Sequence, residues 1–387
     1  MPVLDVPPPA FMQDPDIQMF ADAANRFFER AAPPKRVSGW REAGQVERVF
    51  WRETGAAGFL GVMVPEAYGG PGADFRHELV LLDVAARQNL EGFALGLHNV
   101  IITPYIILHG TEEQKHRWLP KLVSGERVSA IAMSEPGAGS DLQSIRTTAR
   151  RDGGGYRISG SKTFISNGQV ADFIVVVAKT DPTLGSRGVS LLIVETDQVQ
   201  GFRRGKKLDK IGLDAQDTSE LFFDDVWVPA ENLLGMEEGK GFSQLMAELP
   251  RERLLIAIGA VITMEKALET TIEYAKNRKA FGQRIIDFQN SQFKLAEAKA
   301  KATVAKVFIN DCIARLLNDA LDGTTAAIAK MWATETEWQI VDDCLQLHGG
   351  YGYINDYPIA RIFRDSRIAR IYGGSTEIMK VIIARSL

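Results

Sequence analysis

The residue pattern of this chain changes twice along its length, and those changes limit the folds that it can adopt. Over residues 16–125, apolar positions recur at helical spacing, with Gly and Pro between the runs. From about 129 to 229, short strand-like runs such as DFIVVVAKT are separated by Gly, Asp and Ser, which is typical of an antiparallel sheet or a small barrel. After Gly239 the helical pattern returns in long stretches rich in Ala, Leu, Lys and Glu.

This order predicts an α+β multidomain protein built from three parts. We expect an N-terminal helical domain over 1–128, a central antiparallel β-barrel-like domain over 129–236 and a C-terminal helical bundle over 237–387. A chain of 387 residues is long enough for such an arrangement. The bundle should contain three long helices, near 240–277, 288–318 and 324–348.

Composition excludes several classes of protein. The net charge of −4 gives no general electrostatic reason to bind nucleic acid, and no apolar run reaches the ~18 residues of a membrane span. The N-terminus lacks the basic and apolar regions of a signal peptide. The two cysteines, Cys312 and Cys344, form neither a disulfide framework nor a zinc site. We therefore expect no metal and a cytoplasmic location.

Two segments of the β region suggest a ligand. AMSEPGAGSD, residues 132–141, combines small residues with the hydroxyls of Ser134 and Ser140, which allows backbone amides to approach a ligand closely. Alone, such a segment is more often only a turn. In KTFISNG, residues 162–168, Phe164 could lie against a flat ring and Ser166 near a ring nitrogen. A core phenylalanine in a strand is the simpler interpretation.

Two further segments flank the helices of the bundle. In RKAFGQRIIDFQ, residues 278–289, Arg278 is suited to a phosphate oxygen, although an exposed arginine at a helix end is commoner. QLHGGYGYINDYPIARIFRD, residues 346–365, is too rich in glycine for a helix interior, so we expect a loop close to another surface. His348 has no second histidine nearby and only one cysteine, Cys344, which makes a metal role unfavourable.

In their order and spacing, these motifs resemble the acyl-CoA dehydrogenase family, and most closely its long-chain branch. AMSEPGAGSD and QLHGGYGY…YPIARIFRD…IYGGSTEI stand where the family carries its two signature regions, with KTFISNG, FFDDVWVP and RKAFGQ between them. The resemblance covers essentially the whole chain. It implies the three-part fold with a C-terminal four-helix bundle, non-covalent FAD, and a homotetramer arranged as a dimer of dimers.

The resemblance also assigns residues to the cofactor and the substrate. It places Ser140, Arg253, Gly373 and Gly374 at the substrate, with Ser140 contacting CoA. Phe164 stands where many members have tryptophan, stacked on the flavin, and Ser166 lies by the flavin N5 edge. The resemblance implies a cofactor site made of Ile131, Met133, Ser134, Gly139, Ser140, Phe164, Ile165, Ser166, Arg278, Gln289, Gln346, Leu347, His348, Gly349, Gly350, Ser375, Thr376 and Glu377. Arg278, Gln289 and 346–350 would hold the FAD of the adjacent subunit.

The implied reaction is α,β-dehydrogenation of an acyl-CoA thioester to the trans-2-enoyl-CoA. A base removes the α proton while the β hydrogen passes as hydride to flavin N5. The enolate oxygen needs preorganised donors, and a carboxylate base is matched to the α proton if desolvation raises its pKa. The flavin supplies the redox chemistry and the protein supplies position and electrostatics.

The usual base is absent from this sequence. In much of the family a glutamate follows Ile-Tyr, but here that position is Gly373. Glu377, Glu248 and Glu252 are the candidate replacements. The long-chain and isovaleryl branches place their base on the first long bundle helix, immediately before an arginine, and Glu252 followed by Arg253 matches that pattern. The resemblance therefore assigns Glu252 as the base.

The neighbours of Glu252 affect this assignment. Glu248 lies one helical turn earlier and shares its face, and either residue could be only a solvated charge. Pro250 is either inside the helix or at its first position; inside, it would kink the helix and could aim Glu252 toward the flavin. Arg253 would hold the carboxylate but also lower its pKa. At Gly373 the amide remains to bind the thioester oxygen, and the Gly373–Gly374 pair is expected to open space for longer or branched acyl groups.

The sequence is also compatible with two other functions. One is a flavin oxidase or monooxygenase on the same fold, in which reduced flavin reacts with oxygen. The other is a non-catalytic flavoprotein subunit that has lost its base. For the dehydrogenase, the resemblance implies electron-transfer flavoprotein as the acceptor. The sequence does not reveal the chain length, branching or steroid nature of the acyl group.

Overall fold

The computed structural model describes residues 3–90 and 92–387. The chain forms two compact units. The mixed unit contains Met19–Lys210 and Asp214–Glu248, and the helical unit contains Leu249–Leu387 together with Ile211–Leu213 and the residues up to Gln18. No helix in the described ranges combines the length and the apolar character that a membrane crossing needs.

The first part of the mixed unit is helical, as the apolar spacing predicts. A π-helical turn, Leu97–Ile102, leads into its fifth helix. The sixth helix begins as predicted after Thr111, whose side chain forms a reciprocal capping box with Gln114. The helices are α1 Pro15–Ala31, α2 Pro34–Ala43, α3 Arg48–Ala56, α4 Phe75–Arg87, α5 Thr103–His109 and α6 Glu112–Val123.

The mixed unit continues as one seven-stranded sheet. The strands are β1 Ser129–Ala132, β2 Thr148–Asp152, β3 Gly155–Ser166, β4 Phe173–Lys179, β5 Val189–Glu195, β6 Phe202–Lys207 and β7 Thr218–Pro229. Their order is β1-β4-β2-β3-β7-β6, with β5 paired to β4. Most pairs are antiparallel as expected, but β1 and β2 each lie parallel to β4. The sequence did not indicate β2 and β6, because TARRD and FRRGKK are rich in charge and lack an apolar repeat.

Strand β4 connects the two hydrophobic cores of the sheet. Phe173, Val175 and Val177 point to one face and pack in the cluster that contains Trp118 of α6. Ile174 and Val176 point to the other face, into a second cluster with residues of β2, β3 and β7. Both faces of β4 are therefore covered, which explains its uninterrupted apolar sequence FIVVVAK.

The helical unit is built on three long helices whose bounds agree with the predicted ones. They are α7 Gly241–Asn277, whose first eight residues belong to the mixed unit, α8 Gln289–Leu317 and α9 Gly323–Leu347. A hairpin of β8 Lys279–Ala280 and β9 Gln283–Arg284 separates α7 from α8, and the chain ends with α10 Pro358–Ser366 and α11 Thr376–Ala384. The segment 346–365, expected to be a loop, is mostly helical instead. It contains the end of α9, a short 3₁₀ helix at Gly349–Tyr353, which Gly349 enters with φ +57°, and most of α10.

Candidate active site

A buried ion pair joins the segment after β1 to strand β3. The Lys162 ammonium donates to the Met133 carbonyl at 3.0 Å and pairs with Glu135 at 2.9 Å. The amide of Thr163 donates to the Ser134 carbonyl at 3.0 Å. The structure therefore brings together two of the segments that sequence reasoning assigned to the flavin, one around Met133 and Ser134 and the other around Phe164.

Glu135 joins the glycine-rich turn, which its backbone closes with Ala138, to the residues just before β2. Its carboxylate accepts the amides of Arg146 at 2.6 Å and Thr147 at 3.0 Å. Burial alone would raise the pKa of Glu135, but the Lys162 ammonium and these donors hold it below its ordinary value. A β-carbon added at Gly137 or at Gly139 would meet no atom within 4 Å. The turn is thus held in place through Glu135, while its glycines border open space, which suits the approach of a flat cofactor.

Phe164 does not belong to the core of the sheet. The register of β3 against β7 shifts between Lys162 and Ile165, and at this bulge Phe164 adopts φ +60° with its side chain 69% exposed. A left-handed conformation is costly for a bulky residue and usually persists for a functional reason. The interpretation of Phe164 as a core residue is therefore wrong, and its ring is available to a ligand.

The other predicted flavin residues of the mixed unit differ in what they can offer. Ser166 ends β3 and is half-buried, whereas the side chain of Ile165 lies in the core, so Ile165 can offer a ligand only its backbone. Ile131 and Met133 pack their side chains against the other core cluster. Ser134 is half-buried, and Gly139 and Ser140 are exposed.

In the helical unit, the end of α7 and the end of α9 meet. His348 stacks on Tyr274 with a centroid separation of 4.2 Å, and its Nδ1 lies 2.9 Å from the Cys344 carbonyl. Burial lowers the pKa of His348. The guanidinium of Arg278 lies over the ring of Tyr351 at 5.5 Å. Because the His348 ring is committed to these contacts, its part in a cofactor site would be limited to its backbone.

The remaining predicted residues of this region are accessible. Gln289 is exposed at the first turn of α8, and Gln346 and Leu347 form the last turn of α9. Gly349 and Gly350 are exposed immediately after it. All of these residues belong to the helical unit, as Arg278 does.

Gly373 is required by the backbone as well as by its surroundings. It has φ +65°, and Gly374 has φ +97°, both in the region that glycine adopts most easily. A β-carbon on Gly373 would overlap Cδ1 of Ile256, a residue of α7. The expectation that the glycine pair opens space is therefore wrong at position 373, because Ile256 fills the place of the missing side chain.

A buried lysine fixes this glycine pair from the opposite side. Lys330 of α9 is fully buried, and its ammonium donates to the Gly374 carbonyl. Burial lowers the pKa of Lys330 to about 8, and the positive charge of Arg253 lowers it further. Its Cε lies 4.0 Å from the place that a β-carbon on Gly373 would take.

Glu252 and Arg253 are both buried in α7, at 5% and 8% exposure. Glu252 precedes Ile256 by four residues, so their side chains are neighbours on one face of the helix. Burial lowers the pKa of Arg253, and the carboxylate of Glu252 opposes that effect. Of the two positions considered for Pro250, the structure shows the one inside the helix α7.

The alternative carboxylates have other partners. Glu248 lies in the mixed unit, where its Oε1 is 3.1 Å from Nε2 of His109. Glu377 is exposed at the start of α11, where its own amide and the Ser375 hydroxyl hold its pKa below the ordinary value. Glu248 is as buried as Glu252, at 4% exposure, but it already has His109 as a partner, whereas Glu377 is exposed to solvent.

Glu335 of α9 holds both ends of the segment that contains the glycine pair. It accepts from Arg370 Nε at 2.8 Å and from the Thr376 hydroxyl at 2.7 Å. Thr376 is thus bound to Glu335 through its hydroxyl. Four buried or half-buried charged residues of the site were not predicted from the sequence: Glu135, Lys162, Lys330 and Glu335. The available signal was a single charged residue within small or apolar neighbours, as in AAIAKMWA.

Comparisons with known proteins agree with this architecture. Three family models match: Acyl-CoA dehydrogenase N-terminal domain over 14–126, middle domain over 130–226 and C-terminal domain over 239–387. The mitochondrial long-chain specific acyl-CoA dehydrogenase of Sus scrofa is 45% identical over 97% of this chain and 87% of its own length.

Solved structures show the same similarity. An acyl-CoA dehydrogenase from Geobacillus kaustophilus is 47% identical with a TM-score of 0.94, covering 96% of this chain and 98% of that one. A glutaryl-CoA dehydrogenase from Mycobacterium smegmatis, solved in complex with FADH2, is 27% identical with a TM-score of 0.88, covering 97% and 95%. The chain therefore belongs to the acyl-CoA dehydrogenase family, whose members bind FAD and oxidise acyl-CoA thioesters.

Proposed function

We propose that this oxidoreductase converts an acyl-CoA thioester to its trans-2-enoyl-CoA and that Glu252 removes the α proton. The observation that carries the proposal is the contact of Ile256 with the place of the missing side chain at Gly373. Glu252 lies one helical turn from Ile256 on the same face. Its carboxylate is thus close to the position from which the usual glutamate of the family would act.

Burial suits Glu252 to this role. A carboxylate removed from water becomes a stronger base. Desolvation by bound substrate would therefore make Glu252 better able to remove the weakly acidic α proton. Arg253, next in the chain, would orient the carboxylate at the substrate end of the site. Glu248 is engaged by His109, and Glu377 is exposed with a low pKa, so both are poorer candidates.

The segment opposite Glu252 would stabilise the enolate. The Gly373 amide would donate to the thioester oxygen, and Gly374 would border the acyl group. Lys330 holds the Gly374 carbonyl, while Glu335 binds Arg370 and Thr376 on either side. A donor fixed before the reaction stabilises developing charge without the cost of reorganisation.

The residues present fit FAD. The open turn at Gly137 and Gly139 and the exposed ring of Phe164 would receive the flavin, while Ser140 would contact CoA. When bound, FAD supplies the hydride acceptor. The holding residues would be Ile131, Met133, Ser134, Gly139, Ser140, Phe164, Ile165, Ser166, Ser375, Thr376 and Glu377, with Arg278, Gln289, Gln346, Leu347, His348, Gly349 and Gly350 serving a neighbouring copy.

A homotetramer is part of this proposal. On α8, Phe293, Val304 and Val307 are 58%, 59% and 55% exposed and fall on one face of the helix. A second copy of the chain would cover this apolar face. Electron-transfer flavoprotein is the proposed acceptor. A cytoplasmic location is consistent with two cysteines that are both free and buried.

Anaerobic titration with an acyl-CoA series tests the proposed function. We expect the flavin absorbance to bleach with at least one acyl-CoA and the product to be the trans-2-enoyl-CoA. Turnover with an artificial electron acceptor should greatly exceed peroxide release in air. Peroxide formation at the rate of turnover would identify an oxidase instead, and no bleaching with any acyl-CoA would support a non-catalytic flavoprotein.

A further inference from the structure

Lys330 of α9 is a buried cation for which packing alone gives no reason. Its side chain is fully buried, and in the part of the chain that the structure describes no carboxylate forms an ion pair with it. Glu335, on the same helix, is bound instead to Arg370 and Thr376. Burial lowers the pKa of Lys330 only to about 8, so the group stays protonated at neutral pH. Burying an unpaired charge is costly, and a methionine of similar size would avoid that cost.

The ammonium of Lys330 is directed at the glycine pair of the site. It donates to the carbonyl of Gly374, and the Cε of Lys330 lies 4.0 Å from the place that a β-carbon on Gly373 would take. Cδ1 of Ile256 overlaps that same place. Both glycines have a positive φ, +65° and +97°, and a glycine backbone moves freely unless its surroundings hold it. Lys330 and Ile256 therefore restrict the backbone that carries the Gly373 amide.

We propose that Lys330 is a positioning residue whose positive charge stabilises the enolate formed from the substrate. The inference rests on the proposed function, in which Glu252 removes the α proton and the Gly373 amide binds the thioester oxygen. In that step the bond between the α carbon and its hydrogen breaks, the proton passes to Glu252, and the electron pair enters the enolate. Negative charge thus moves from the Glu252 carboxylate to the thioester oxygen beside Gly373.

The surroundings of Lys330 make its charge effective in this step. The lysine is fixed before the reaction by its bond to Gly374, so it stabilises new charge without the cost of reorganisation. Because the side chain is fully buried, water does little to weaken its field towards the neighbouring glycines. A hydroxyl or an amide could hold the Gly374 carbonyl without burying a charge. The charge itself is therefore the feature that the enolate uses.

Exchange of the α hydrogens with deuterium oxide measures enolate formation directly. The probe is the 3-thia analogue of the acyl-CoA that reduces the parent flavin fastest. Sulfur replaces its β carbon, so the analogue can lose an α proton but has no β hydrogen to transfer. In the holoenzyme of Lys330→Met, exchange should be at least about tenfold slower than in the parent. The variant should keep its FAD and a similar unfolding midpoint, because removing a buried charge offsets the loss of one hydrogen bond.

A second ligand and two further variants separate the charge from a structural role. The S-alkyl-CoA thioether of the same chain length has no carbonyl oxygen, so its Kd should be the same in the parent and in Lys330→Met. Lys330→Gln keeps a hydrogen-bond donor without the charge, and its exchange should be as slow as that of Lys330→Met. Lys306→Met, which breaks a pair with the buried Glu265 of α7, should lower stability but leave exchange unchanged.

Three results would overturn the role of the charge. Exchange at the parent rate in Lys330→Met is one, and exchange at the parent rate in Lys330→Gln is another, since a neutral donor would then be sufficient. Equal losses of exchange and of thioether binding would show that Lys330 only supports the shape of the site. A parent holoenzyme that binds the 3-thia analogue without exchanging its α hydrogens would instead overturn the proposed function itself.

Discussion

Cδ1 of Ile256 occupies the place that a β-carbon on Gly373 would take. This contact explains why the usual glutamate position of the family has no side chain here. It also indicates which residue supplies the carboxylate instead, because Glu252 is one helical turn from Ile256 on the same face of α7. The segment around Gly373 and the first long helix of the bundle therefore form one chemical unit.

A side chain at position 373 should be tolerated better if Ile256 becomes smaller. Gly373→Ala should destabilise the protein by about 1–2 kcal/mol, since φ is +65° and the methyl group overlaps Ile256. Adding Ile256→Ala should relieve the overlap but not the backbone strain. Denaturant unfolding of the two single variants and the double variant measures this coupling, and strictly additive effects would contradict the contact.

The same contact determines whether a glutamate can be restored. In a Glu252→Gln background, Gly373→Glu alone should recover little flavin bleaching, because Ile256 blocks the side chain. Gly373→Glu combined with Ile256→Ala should recover more. Stopped-flow reduction by acyl-CoA provides the comparison. Equal recovery with and without Ile256→Ala would show that Ile256 does not control the position.

Phe164 should lower the stability of the apoprotein and strengthen the binding of the cofactor. Phe164→Gly removes a bulky residue from φ +60° and should stabilise the apoprotein by about 1 kcal/mol. FAD affinity should fall by roughly threefold to tenfold through lost stacking, whereas Phe164→Trp should retain it. Trp227 of β7, 42% exposed, provides the control, since Trp227→Ala should leave FAD binding unchanged. Unchanged FAD affinity in Phe164→Gly would contradict a stacking role.

The buried pair of Lys162 and Glu135 should be needed to hold the flavin turn. Lys162→Met leaves a buried carboxylate unpaired and should cost about 3 kcal/mol, with loss of FAD. Replacing both residues by methionine should recover only part of the stability and not FAD binding, because the Met133 carbonyl and two amides lose their partner. Lys240→Met, at an exposed pair, is the control. A cost no larger than that of the control would contradict this account.

Asp217 should make stability depend on pH. Burial raises its pKa to about 6, although the Gln169 amide that donates to the carboxylate opposes this shift. Asp217 therefore binds its proton more tightly in the folded state than in the unfolded chain. Its contribution is fully present below the unfolded pKa near 4 and is lost as the pH rises through about 6. Relative to Asp217→Asn, the parent should lose on the order of 2 kcal/mol between about pH 4 and pH 7.

Unfolding of the parent and of Asp217→Asn at several pH values measures the difference. Asp209→Asn provides the matched control, because Asp209 is exposed in the same region of the chain. The control should follow the parent at every pH. A constant difference between the parent and Asp217→Asn across this range would show that Asp217 does not titrate as its burial implies.

The sequence predicted the parts of this structure that depend on periodic burial. The long helices α7, α8 and α9 and the apolar strand β4 are repeats of buried positions, which apolar spacing reveals. Strand β6 was not predicted, because FRRGKK shows no such repeat. The two parallel pairings of β4 were not predicted either, since strand-like runs do not specify their partners.

The directions in which side chains of the site point could not be predicted from the sequence. KTFISNG reads equally as a strand with a core phenylalanine, and only the bulge between Lys162 and Ile165 turns Phe164 outwards. The glycine at 373 indicated a missing base, but the contact with Ile256 depends on the packing of distant segments. Glu252 was assigned by resemblance, and its distance from the substrate stays a prediction.

The central claim is tested most directly by the rate of flavin reduction in Glu252→Gln. The matched control is Glu248→Gln, one turn earlier and 3.1 Å from His109. Under anaerobic stopped-flow conditions with acyl-CoA, Glu252→Gln should keep its FAD and be reduced roughly a thousandfold more slowly, while the control stays near the parent rate. Reduction of Glu252→Gln at the parent rate would contradict the account.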